Sequence, residues 1–154
     1  MQWFSVDIFQ TVRYNSLDIE ANYPESAGII MELSVFFQSV LDQDRAPIVL
    51  CDLQHTIIYM NPAAVINYEK YGGANLVGCS VLDCHSSASV SLIRQVVDWF
   101  AKSPENNIIF THHNMKHNRD VYMVALRDED KNLIGYYEKH EYRTPDTMQS
   151  YDFV

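Results

Sequence analysis

Positive charge is scarce in this sequence: 11 Lys and Arg stand against 20 Asp and Glu, a net charge of −9 with the six His counted as neutral. Such a surface repels a phosphate backbone and no Lys/Arg cluster overrides it, so nucleic acid is not an expected partner. Long apolar runs are also missing. None approaches the roughly 20 residues of a membrane span, so no membrane insertion is expected. Cysteine is limited to Cys51, Cys79 and Cys84. An odd number with no leader-like segment gives no disulfide framework and leads to the expectation of a reduced, cytoplasmic protein. No internal repeat or low-complexity tract is present.

Apolar residues are abundant instead. They make up 47% of the 154 residues, with charged residues at 20%, which is the balance of one folded globular domain with room for a short appendage. Ten Tyr and seven Phe can fill a core or line a flat apolar pocket.

The stretch Cys51–Ala64 organises the chain. Apolar residues from Pro47 to Cys51 end at Asp52, whose side chain can bond its own backbone two residues on, and a second apolar run from Ile57 to Met60 follows. Asn61 then caps a helix that has Pro62 at its first position. This is a β-hairpin feeding a helix, with His55 expected in the exposed turn.

Upstream, residues 4–14 fit either a strand or one helical face, and Tyr23-Pro24-Glu25-Ser26 reads as a break. Ile29, Ile30, Leu33, Phe36, Phe37, Val40 and Leu41 give the stripe of an amphipathic helix over 27–42. Downstream, a helix over 62–71 closes at Gly72-Gly73, 75–84 is a loop, and a longer helix over 86–102 buries Val90, Ile93, Val96, Val97 and Phe100. Strands are expected over 107–114, 120–127 and 133–142, with polar turns at 116–119 and 128–132.

Asp52, Ile57, Tyr59, Asn61 and the Ala63-Ala64 pair, followed by this order of elements, resemble a PAS domain. The resemblance implies an α+β fold: a PAS-like five-stranded antiparallel sheet flanked by helices around a ligand pocket, here with an N-terminal helical extension. Residues 1–35 would form that extension, 36–143 the sensor domain and 144–154 a mobile tail. Leu76–His85, with Asp83-Cys84-His85 its most specific part, and Leu133–Glu138 resemble the PAS subgroup often joined to hemerythrin-like domains. Ser86 stands where that subgroup has Pro.

On this resemblance the pocket lies between the sheet and the 86–102 helix, with His85, Cys84, Tyr59, Ile93, Val97, Tyr122, Val124 and Tyr137 as candidate ligand-binding residues. Haem is one candidate cofactor, with His85 as axial ligand. Cys84 at a helix N-terminus is a candidate redox thiol, weighed against a small apolar packing residue. Cys79, Cys84, His85, His112, His113 and His117 match no structural zinc spacing, and His112 and His113 must point to opposite faces of a strand. No orienting triad or oxyanion site is legible, so an enzyme is not expected. The expected function is a free-standing sensor that binds a small molecule or haem and signals through association, as a homodimer or with an unidentified signalling partner protein. The alternatives are a ligand-free docking module and a small haem- or thiol-dependent redox protein.

Overall fold

A computed structural model describes residues 24–148, with side chains from residue 34 onward. The ambiguous segment over 4–14 and the last six residues of the tail lie outside the described residues. The chain divides into two compact units, Met1–Phe36 and Phe37–Val154, and α1 (Pro24–Gln43) runs across that division. Pro24 begins this helix rather than breaking the chain, because the first helical position has no use for the missing N–H.

The second unit carries β1 (Val49–Asp52), β2 (Ile57–Met60), α2 (Pro62–Asn67), α3 (Ser87–Lys102), β3 (Ile108–Asn114), β4 (Arg119–Arg127) and β5 (Leu133–Tyr142). All strand pairs are antiparallel, and the sheet order is β2-β1-β5-β4-β3. The first and last strands are therefore neighbours at its centre. Between α2 and α3 the chain makes three short 3-10 turns, Glu69–Tyr71, Gly73–Leu76 and Val81–Cys84. The helix expected to reach residue 71 stops at Asn67, and the remainder tightens into the first of these turns.

Two polar side chains hold the layers in place. Asn61 is fully buried; its Oδ1 accepts from Ala64 N at 2.8 Å and Ile48 N at 2.9 Å. Its Nδ2 donates to the carbonyls of Leu41, Asp44 and Ala46 at 3.2, 3.2 and 2.9 Å. One amide thus ties the chain after α1, the entry to β1 and the start of α2. Arg127 does the same at the other end. Its Nη2 donates to the Phe100, Ser103 and Asn106 carbonyls, at 2.8, 2.9 and 3.1 Å, where a cation suits the end of α3. Ser86 caps the start of α3, accepting from Ser89 N at 3.3 Å.

Alternation along the strands fixes which side chains face the helices. Val49 and Cys51 on β1, Val121 and Met123 on β4, and Tyr136 on β5 are buried on the helix side. Phe100 of α3 is fully buried against the core they build. Gly135 is required where β5 meets β1: a Cβ there would stand 2.5 Å from the Cys51 carbonyl oxygen.

Candidate functional site

A cavity of about 110 Å³ lies on the helix side of the sheet. Its apolar wall comes from Cys51 of β1, Ile57 and Met60 of β2, Met123 of β4, and Ile93 of α3, with Leu76 and Val81 from the 3-10 turns. Polar groups enter only at Tyr68, Cys84, His85, Tyr136 and Glu138. Among the described residues, no group of three or more His, Cys, Asp and Glu side chains is placed to hold a metal ion.

Tyr68, the residue that ends α2, donates its hydroxyl to Glu138 Oε1 at 2.7 Å. His140 Nε2 donates to the same oxygen at 2.6 Å. Burial by itself would raise the Glu138 carboxyl, but the hydrogen bond and charge of His140, the Tyr68 hydroxyl and the charge of His85 outweigh it. The net effect holds the group below the usual carboxylate range, so Glu138 is an anion at neutral pH. Tyr68 is displaced the other way: burial and then the charge of Glu138 keep its phenol protonated far above neutrality.

His85 ends the Val81–Cys84 turn, and its Nδ1 lies 2.8 Å from the Val81 carbonyl oxygen. A carbonyl only accepts, so Nδ1 carries the proton and Nε2 of the neutral ring is left as the acceptor. That is the tautomer an axial ligand needs. The volume does not suit a porphyrin, however. Ligand sites for drug-sized molecules span roughly 300–1,000 Å³, and the space here is about 110 Å³. A porphyrin is larger than the space this cavity offers in the structure.

Of the candidate residues read from sequence, His85, Cys84 and Ile93 line the cavity. Val97 packs one turn further along α3, against the core beside it. Tyr59, Tyr122, Val124 and Tyr137 do not line it, and one physical reason covers all four. The pairs Leu50↔Tyr59, Leu50↔Tyr137, Val124↔Tyr137 and Tyr122↔Lys139 share a face, and it is the face opposite α2 and α3. Side chains alternate with a period of two, so a choice one residue off places every member on the wrong side. Their partners are accordingly different. Tyr59 bonds Asp42 at 2.5 Å, and burial followed by that carboxylate pushes its phenol up to about 12. Tyr122 receives a hydrogen bond from Arg143 at 2.8 Å and sets its ring edge against Phe110.

The residues that do line the cavity include several that sequence reasoning missed: Tyr68, Leu76, Val81, Met123, Tyr136 and Glu138. Strand β4 reads Val-Tyr-Met-Val-Ala-Leu over 121–126, apolar on both faces, so its sequence carries no parity signal. His55 also needs correction. It takes a left-handed backbone conformation at φ 66° in the β1–β2 turn, as expected of a turn residue, but it is not free in solvent. Its Nδ1 lies 2.9 Å from the Tyr136 hydroxyl, behind the cavity wall.

Cys51 is buried, and desolvation first of all pushes its thiol up to about 11, so it is an inert packing group. Cys79 and Cys84 are exposed free thiols. His112 and His113 point to opposite faces: His112 lines a groove on the helix side, whereas His113 pairs with Asp120 at 2.6 Å.

No family model and no curated protein matches the sequence. Solved structures do match. A C-terminal domain from Streptococcus mutans is 17% identical, with 69% of this chain and 81% of that one covered and a TM-score of 0.55. A PAS domain from Colwellia psychrerythraea is 17% identical over 73% of this chain and 96% of that one, with a TM-score of 0.53. The PAS domain of an HTR-like protein from Haloarcula marismortui is 11% identical over 75% and 96%, with a TM-score of 0.51. The five-stranded antiparallel sheet with its flanking helices is thus a PAS fold.

Proposed function

We propose that this chain is a non-catalytic sensory module that holds a small ligand in the cavity between its sheet and the segment from Leu76 to Ile93. Occupancy is passed on through a change in association with a partner. The observation that carries this reading is the cavity itself: an apolar pocket of about 110 Å³ whose polar groups converge at Tyr68, Glu138 and His85. A dry wall with a few placed polar groups is how a protein selects a small molecule, since the wall supplies affinity and the polar groups fix orientation. The run Asp83-Cys84-His85 supports the same location, because its last two residues line that wall. Free thiols at Cys51, Cys79 and Cys84 are consistent with a reducing, cytoplasmic setting.

Native mass spectrometry of freshly purified protein tests the reading. A small molecule is expected to leave with the folded state on denaturation, and to be absent from an Ile93→Trp variant that fills the cavity while remaining folded. A bare protein mass, together with no change in the protein's association state on Ile93→Trp, counts against it.

One observation favours a second reading, a docking unit that pairs with another copy of itself. Phe37 and Val40 on α1 are 62% and 69% exposed, and Ile108 and Phe110 on the outer sheet face are 50% and 53% exposed. Large apolar side chains left exposed on α1 and on the outer sheet face are candidates for an interaction surface. Sizing of the full chain beside Phe110→Asp and a form lacking residues 1–26 tests it; if all three are monomers at high concentration, the reading fails.

A further inference from the structure

Arg119 is 4% exposed, yet no carboxylate lies within ion-pair distance of it among the described residues. Its Nη2 donates to the Asn67 side-chain oxygen at 3.0 Å, its Nη1 reaches the Tyr142 hydroxyl at 3.5 Å, and its Nε has no partner. A guanidinium does not shed its charge when buried, and a buried charge without a counter-charge is costly. Acidic residues are plentiful in a chain of net charge −9, so the lack of one here is a property of the place.

The place is a groove of about 590 Å³, within the roughly 300–1,000 Å³ of small-molecule sites. Register shows how it arises. Along the helix-side face, β4 runs Ala125, Met123, Val121, Arg119 while β5 runs Tyr136, Glu138, His140, Tyr142 opposite them. The same face is therefore apolar at the cavity and basic beyond Glu138. Lys70, Lys116 and His112 join Arg119 on the groove wall, and Glu138 is its only carboxylate. That carboxylate is already engaged by Tyr68 and His140. The ring of His117 reports the surrounding field: desolvation and then the charges of Arg119, Lys116 and His140 lower its proton affinity. His140 is 6% exposed and also lines the groove, and its Nδ1 has no partner.

We propose that this groove is a second binding site, beside the cavity and sharing Tyr68, His85 and Glu138 with its wall, for a small organic dianion: a phosphate monoester or a dicarboxylate seated against the Arg119 side of the groove. Three permanent cations face one carboxylate, so a dianion neutralises the groove. The buried guanidinium, with no carboxylate in reach and its Nε unpartnered, leaves positive charge at the groove wall for an anion to balance, and the flanking lysines hold the rest of the charge.

The test is titration of the full chain, followed by amide NMR, with glycerol 3-phosphate and with succinate, beside neutral glycerol and succinamide. At least one dianion is expected to shift groove resonances saturably with a dissociation constant below about 1 mM, and the neutral compounds to shift none. Which dianion binds distinguishes the phosphate from the dicarboxylate source. Arg119 is buried and its loss could unfold the chain, so the decisive variant is Lys70→Gln with Lys116→Gln. It should weaken binding roughly tenfold, the loss expected from removing two partly solvated cations, while Lys102→Gln at the end of α3 leaves it unchanged. Binding by neither dianion, equal binding by the neutral compounds, undiminished binding in the double variant or an equal loss in Lys102→Gln overturns the proposal.

Discussion

Tyr68 and Glu138, 70 residues apart in sequence, meet at 2.7 Å on the wall shared by the cavity and the basic groove. The bond ties the end of α2 to the central strand pair and holds a carboxylate at the point where the sheet face changes from apolar to basic. Tyr68→Phe removes the hydroxyl without changing the ring, and a hydrogen bond to a charged group is worth about 1.5–3 kcal/mol. A loss of that size in urea denaturation is expected, with an unchanged slope because the folded structure stays compact.

The depressed Glu138 carboxyl makes stability depend on acid. Its folded-state pKa lies below the unfolded value, so its contribution is complete above about pH 4.3, the ordinary Glu value, and is lost as pH falls through the folded one. Stability measured at a series of pH values should fall through that acid window. Glu138→Gln should be less stable at neutral pH and show a shallower fall. A Gln variant whose acid limb superimposes on that of the parent protein would show that other carboxyls carry the effect.

Asn61 offers a sharper mutational test. If it acted only as a helix cap, Asp would serve equally well. Its Nδ2 instead donates to three carbonyls, and an Asp oxygen would face all of them with no proton to give. Asn61→Asp is therefore expected to lower thermal stability nearly as much as Asn61→Ala, each by more than about 2 kcal/mol. Retention of the parent melting temperature by Asn61→Asp would reduce the residue to a cap.

Gly135 is expected to tolerate no side chain. Gly135→Ala places a methyl 2.5 Å from the Cys51 carbonyl oxygen, a backbone atom that moves only if β1 and β5 separate. Overpacking of this kind costs about 1–3 kcal/mol. At Gly78, one of three glycines with positive φ among the described residues (φ +88°), a Cβ would meet open space and only backbone strain would oppose it. Thermal melts of Gly135→Ala and Gly78→Ala should both move down, and loss of the β1–β5 amide protection is expected only for the first.

The sequence by itself determined the order of elements, because each rests on local chemistry, and that order together with Asp52, Ile57, Tyr59 and Asn61 carried the resemblance that implied the fold class. The Asn61-Pro62 cap, the stripe of α3 and the polar turns at 116–119 and 128–132 are written within a few residues of where they act. His85, Cys84 and Ile93 were legible through that resemblance, since they belong to the segment just before α3 and to its inner stripe. Tertiary structure alone decided which face of each strand looks inward. Strand β4 is apolar on both faces and β5 carries adjacent tyrosines, so nothing local separates Met123 from Tyr122 or Tyr136 from Tyr137. Long-range pairing also brought Tyr68 to Glu138 and buried Arg119, which reads in sequence as the end of a polar turn. Periodicity records how a segment can bury one side, and only the register between strands distant in the chain says which side that is.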